Sequence, residues 1–140
     1  MSQGHRPLYN GADLRGWNCK TPDRWKPNDW ELALTDGPAA EPLWTDAEFG
    51  DCELILDCKP AATAPVVLVR GTDATTTLPL EGLQPGNWGR VTITIKGREC
   101  TVRLEGREPK RIAIEGAAAK RVIGLGGAAA TFANIYARPL

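Results

Sequence analysis

The stretch VTITIKGRECTVRLEG, residues 91–106, constrains the fold more than any other part of the chain. Val91, Ile93 and Ile95 alternate with Thr92, Thr94 and Lys96, so apolar and polar side chains fall on opposite faces of an extended strand. After a turn at Lys96–Glu99 the alternation resumes, with Cys100, Val102 and Leu104 set against Thr101, Arg103 and Glu105. Two such runs joined by a short Gly-containing turn make a β-hairpin with one dry face and one wet face. A dry face requires a second layer to cover it.

The rest of the chain offers that layer in the same form. Fifteen Gly and eleven Pro interrupt the sequence every few residues. Between them, short strands are expected near 30–35, 51–58, 65–71, 110–114, 121–125 and 131–138. NGADLRG (10–16) alone reads as a helical turn, with Asn10 as its cap. GAAAKRV (116–122) is too short and too closely bounded by Gly to be assigned as helix. The pattern defines an all-β fold, an antiparallel sandwich or barrel. With no internal repeat and no linker, residues 7–140 read as one domain behind a leading tail, 1–6.

Composition narrows the partners. Seventeen basic residues balance seventeen acidic ones with no basic run, which argues against nucleic acid or an anionic membrane as the partner. No apolar stretch approaches the roughly 20 residues of a membrane helix. MSQGHRP lacks the apolar segment of a signal peptide, so the expectation is an intracellular chain or one whose leader was removed.

FGDCELILDC (49–58) holds the first candidate chemistry. In a strand, Cys52, Leu54, Leu56 and Cys58 share a face, and the two cysteines lie roughly 20 Å apart, beyond the reach of a disulfide. Cys100 shares its face with Val102 and Leu104. The expectation is three small buried hydrophobes, with a disulfide from Cys19 to another cysteine left open. No pair has zinc-knuckle spacing, and the one histidine, His5, sits in the tail, so no metal and no cofactor is implied. With one tail histidine and one tail serine, Ser-His-Asp catalysis is excluded. GLGG (124–127) precedes a strand rather than a helix, so it reads as turn chemistry and not as a phosphate loop.

Glu53, Ile55 and Asp57 face the other way from the cysteines. Two carboxylates at i and i+4 of a strand stand about 13 Å apart. A glycosidase acid/base pair needs roughly 5–9.5 Å, so Glu53 and Asp57 cannot form one alone. Either could work with a carboxylate on a neighbouring strand or bind sugar hydroxyls. The chain also has five tryptophans, and indole faces suit the C–H face of a pyranose. Trp25 and Trp44, set among Pro, Asp, Lys and Thr, are the two expected at the surface.

LYNGADLRGW (8–17), NDWELALTDG (28–37), PLWTDAEFGDCELILD (42–57) and FANIYARPL (132–140) then come in a familiar order. Together they resemble the bacterial 3-keto-disaccharide hydrolase domain, whose pattern runs "LFNGKDLSGW", "WEVEDG", "LWT…YGDFELRLEFR", "NSGIFLR", "GEWN", "VKGNRITVWLNG" and "FRNIRIKPL". The resemblance spans nearly the whole chain from Pro7 to Leu140. It implies a concanavalin-like jelly roll, two antiparallel sheets with a sugar-holding concave face, and exported proteins that cleave 3-keto-glycosides. Cys52 and Cys58 stand where the family has phenylalanines. Glu53 and Asp57 match family acidic positions, and Arg70 matches the arginine ending "GIFLR". The family's "NSG" is replaced by Ala64, Pro65 and Val66, its "WN" asparagine by Gly89 and its "LNG" asparagine by Glu105.

On this reading the concave face carries Glu53, Asp57, Arg70 and Trp44 as ligand-binding residues, with Ile55, Val66 and Leu68 beside them. Three functions follow: a sugar-binding or accessory module with a reduced cleft, an active hydrolase of 3-keto-glycosides, or a protein–protein module using the apolar patch of Val66, Leu68 and Ile55. The expected partner is a carbohydrate or modified sugar, with a protein as the alternative.

Overall fold

The computed structural model describes residues 5–35, 41–71, 74–114 and 120–140. Thirteen strands run through them: β1 (Arg6–Pro7), β2 (Trp17–Asn18), β3 (Trp25–Asn28), β4 (Glu31–Leu34), β5 (Leu43–Thr45), β6 (Cys52–Pro60), β7 (Val66–Arg70), β8 (Thr75–Pro79), β9 (Gly89–Lys96), β10 (Glu99–Leu104), β11 (Lys110–Ala113), β12 (Val122–Gly126) and β13 (Ala130–Pro139). One 3-10 turn, Pro22–Arg24, is the only helical element among the described residues. The first sheet has the order β11-β10-β9-β6-β13-β4-β3, with β1 also paired to β13, and the second has the order β2-β5-β12-β7-β8. Of the sandwich or barrel that the alternation left open, the two-sheet antiparallel sandwich implied by the family resemblance is the one observed. No helix among the described residues is long and apolar enough to cross a membrane.

The opening hairpin forms as its pattern requires. β9 and β10 pair from Val91↔Leu104 to Lys96↔Glu99 around Gly97, whose φ of 60° suits the first central position of a two-residue hairpin turn. The dry faces of both sheets meet in one core. Leu54, Leu56, Ile93 and Ile95 come from the first sheet, and Val67, Val69, Leu78, Ile123 and Leu125 from the second. Cys52, Cys58 and Cys100 are fully buried among them, as expected of small hydrophobes. All four cysteines are free thiols, so the Cys19 disulfide left open by the sequence is not formed.

Several local expectations are corrected. NGADLRG is not a helical turn, because Gly11 and Gly16 take φ values of 82° and 90°, in the left-handed region. Asn10 still accepts from the backbone N–H groups of Ala12 and Asp13, at 2.8 and 2.9 Å, but it closes a turn there instead of a helix. Strands β3, β5 and β8 escaped the pattern. β3 and β8 are edge strands that carry Pro27 and Pro79, residues that only edges and strand ends tolerate. His5 and Arg6, expected in the tail, are held against the first sheet, Arg6 through its pairing with Ala137 of β13. Of GAAAKRV, residues 116–119 lie outside the described residues.

Two features set the geometry of the outer faces. β13 carries a bulge: Ala133 pairs with Asp57 and Tyr136 with Ile55, so one extra residue is accommodated at Asn134, at φ 51°. The chain also crosses from the first sheet to the second between β6 and β7. The outward side chains of β6 and those of β7 therefore point away from opposite sides of the sandwich.

Candidate functional site

The second sheet builds a cleft around a tryptophan. Leu43 and Thr45 of β5 turn inward, which sends Trp44 out. Thr45 is held there because its hydroxyl donates to the Ala47 carbonyl at 2.9 Å and accepts from the Ile123 N–H at 3.0 Å. Trp44 pairs with Gly124 of β12, and Gly124 pairs with Leu68 of β7. The indole lies against Gly124 so closely that a Cβ at that position would stand 2.8 Å from the ring. Leu68 is only 9% exposed although it belongs to the outer face of its strand. Two residues further along β7, the guanidinium of Arg70 lies 4.1 Å from the Trp44 ring centroid. A cation in that position gains about 0.5–2 kcal/mol from the ring quadrupole.

Trp44 and Arg70 line a cleft of about 390 Å³ with Asn18, Cys19, Lys20, Glu41 and Pro42. Its far wall is pinned from behind. The Glu41 N–H donates to the Thr21 hydroxyl at 2.8 Å, and the Glu41 carbonyl accepts from the Trp25 indole and the Cys19 thiol, each at 3.3 Å. Asn18 donates to Asp46 at 2.9 Å. Cys19 is thus a hydrogen-bonding hinge of the wall.

The expected carboxylates lie on the opposite side, on the outer face of the first sheet. Glu53 accepts from His5 Nε2 at 3.0 Å and from Arg138 Nε at 3.2 Å, both through Oε1. The His5 side chain is 2% exposed, so Glu53 anchors the start of the described chain. Asp57 takes Arg90 through both oxygens, at 2.8 and 3.0 Å, and Asn134 from the bulge at 2.8 Å. Burial acts to raise the Asp57 pKa, but the hydrogen bonds from Arg90 and Asn134 outweigh it and hold the carboxyl below its usual range.

Of the four residues expected on one concave face, the structure brings Trp44 and Arg70 together and separates them from Glu53 and Asp57 by the thickness of the sandwich. The physical reason is the crossing between β6 and β7, which the continuous reading of those strands did not anticipate. The same crossing splits the expected apolar patch, placing Ile55 on one outer face and Val66 and Leu68 on the other. Trp25, expected at the surface, is buried against Phe132 with ring centroids 6.1 Å apart. The exposed indoles are Trp30, at 59%, and Trp88, at 43%. Gly124 was readable as part of a turn, yet it is a strand residue, and a glycine inside a strand often marks a close approach by another group.

Trp88 belongs to a second, shallower hollow of about 280 Å³ with Asp57, Gly89, Arg90 and Glu105. Lys59 Nζ lies 5.2 Å from the Trp88 ring centroid. Asp57 pairs with Arg90 across one side of β9, and the Glu105 N–H reaches the Arg90 carbonyl from the other side at 3.0 Å. Among the described residues, no three His, Cys, Asp or Glu side chains converge as a metal site.

The sequence matches no protein-family model and no curated protein. In shape the chain is similar to a candidate glycosyl hydrolase from Parabacteroides distasonis, with a TM-score of 0.77 at 20% identity over 99% of this chain and 100% of that one. It is similar to the carbohydrate-binding module CBM66 from Bacillus subtilis, with a TM-score of 0.64 at 14% identity over 92% and 97% of the two chains. The exoplasmic/lumenal domain of VIP36, in its Ca2+/Man3GlcNAc-bound form, matches with a TM-score of 0.62 at 6% identity over 94% and 86%. Likeness at these identities establishes the fold: a jelly-roll sandwich of a kind shared with carbohydrate-related proteins.

Proposed function

We propose that this domain is a sugar-binding or accessory module, and a compact, divergent member of the 3-keto-disaccharide hydrolase family. The order of the four family-like segments and the shape it shares with candidate glycosyl hydrolases support the family reading. One observation carries the binding reading: Trp44 is seated on Gly124 with Arg70 stacked against it, at a cleft of about 390 Å³. A half-buried indole and a guanidinium fixed at the wall of a cleft supply apolar surface and hydrogen-bond donors to a sugar placed beside them. Glu53 and Asp57 serve instead as latches of the opposite face, since Glu53 Oε1 takes His5 and Arg138 and the two Asp57 oxygens take Arg90 and Asn134. A glycan panel read by tryptophan fluorescence tests the reading. Binding that Trp44→Ala abolishes supports it, and silence across the panel rejects it.

The hydrolase reading has one observation in its favour. Asp57 and Glu105 flank β9, about 10 Å apart at the backbone, near the separation an inverting acid/base pair uses. Arg90, however, stands between them and pairs with Asp57 through both oxygens. An assay on 3-keto-disaccharides decides it: turnover lost in both Asp57→Asn and Glu105→Gln would restore this reading.

A further inference from the structure

Resting on the carbohydrate reading of the Trp44 cleft, we infer that its ligand is an acidic saccharide, whose carboxylate is taken by Arg70 and Lys20. The central carbon of the Arg70 guanidinium lies over the Trp44 ring, 4.1 Å from the centroid. The N–H groups of a guanidinium lie in its plane, so a stacked arginine keeps its hydrogen-bonding edge free. No described carboxylate or carbonyl accepts from that edge, whereas Arg90, Arg121 and Arg138 all have acceptors. Lys20 lines the same cleft and has no ion-pair partner among the described residues. Among the described residues Glu41 is the one carboxylate of the lining, set against Lys20 and Arg70, so the described lining is net positive in a chain whose overall charge is zero.

The geometry fits a planar carboxylate better than a neutral hydroxyl. The fork of an arginine edge matches the two oxygens of a carboxylate, and contact with the Trp44 ring holds the guanidinium at the cleft. Seating the indole on Gly124 makes the arrangement rigid before any ligand arrives, which reduces the ordering cost of binding. The sugar ring then occupies the rest of the cleft, bounded by Pro42, Asn18 and Glu41. A neutral sugar in the same place would offer Arg70 and Lys20 hydroxyl partners only.

The full chain should be titrated by calorimetry with trigalacturonate and with its methyl ester, and with 3′-sialyllactose and lactose. The acid of at least one pair is expected to bind ten times or more tighter than its neutral counterpart. Arg70→Ala should remove that preference. Arg70→Lys, which keeps the charge but not the fork, should recover only part of it, and Lys20→Ala should weaken the acid several-fold. Thermal melts of each variant establish that it is folded. Equal affinity for acid and neutral members overturns the inference while leaving the carbohydrate reading intact. Failure of every saccharide to bind, in this set and in the wider panel, overturns both.

Discussion

Trp44 and Gly124 face each other across adjacent strands, and the indole occupies the space that any side chain at position 124 would need. Replacing Gly124 by Ala must therefore displace the ring, and with it the surface on which Arg70 is stacked. The expected cost is about 1–3 kcal/mol of stability, as for other overpacked sites. Indole fluorescence should change as Trp44 moves. Gly126→Ala is the control, since its added Cβ would meet Pro42 at an ordinary 3.4 Å. Equal melting temperatures for the two variants would contradict the seating described here.

Asp57 links three elements, β6, β9 and the bulge of β13. Its carboxyl titrates below the usual range in the folded protein, so its contribution is present above the unfolded value of about 3.9 and is lost as pH falls through the folded value. Asp57→Asn should cost about 1–2 kcal/mol at neutral pH, discounted because Arg90 is partly exposed. The difference between wild type and variant should shrink below about pH 4. Denaturation followed from pH 7 to pH 2 checks the sign.

The core cysteines behave as small hydrophobes, held as neutral thiols by burial. Burial pushes the thiols of Cys52 and Cys100 up to about 11 and that of Cys58 up to about 12. In the native protein a thiol reagent at neutral pH should modify Cys19 alone, and all four cysteines only after unfolding. These folded values lie above the unfolded value of 9.0, so the stability they confer is complete below it and declines as pH rises towards 11–12. Stability curves in alkali should show that decline, and Cys58→Ala should soften it.

Arg121 is a buried cation at the end of the sandwich. It is 7% exposed, donates from Nη2 to the Gly97 carbonyl at 2.7 Å, and leaves Nη1 without a partner. Replacing it by Met fills much the same volume and removes a desolvated charge, so the change should fall within about 1 kcal/mol of neutral. Arg121→Ala also opens a cavity and should cost about 2–4 kcal/mol. Chemical denaturation of the pair separates packing from charge.

The sandwich was legible because its strands are half-buried. Period-two alternation in 51–58 and 91–104 records which face each strand turns to the core, and it placed Cys52, Cys58 and Cys100 correctly. Pattern within a strand says nothing of which sheet the strand joins. Glu53 and Arg70 both read as outward, and both are outward, but on opposite faces. β3 and β8 were missed because an edge strand that carries proline has little alternation to show. Trp25 was misplaced because its neighbours Lys26 and Pro27 are polar or turn-forming, while the ring itself faces inward to Phe132. The stack of Arg70 on Trp44 joins positions 26 apart in sequence through a glycine on a third strand. No spacing rule encodes that, although Gly124, the first of two glycines in VIGLG, was its one visible trace.

The place of β13 has a consequence for how the chain reaches its native state. The last ten-residue strand lies between β6 and β4, in the middle of the larger sheet. Until it arrives, β6 and β4 both present open edges, each ready to pair with a strand of another chain. Growth of the nascent chain therefore leaves the larger sheet divided into two unjoined parts until Ala130–Pro139 are free to insert. Folding of this domain is completed by β13, and a chain terminated before Ala130 should yield aggregates instead of a smaller domain.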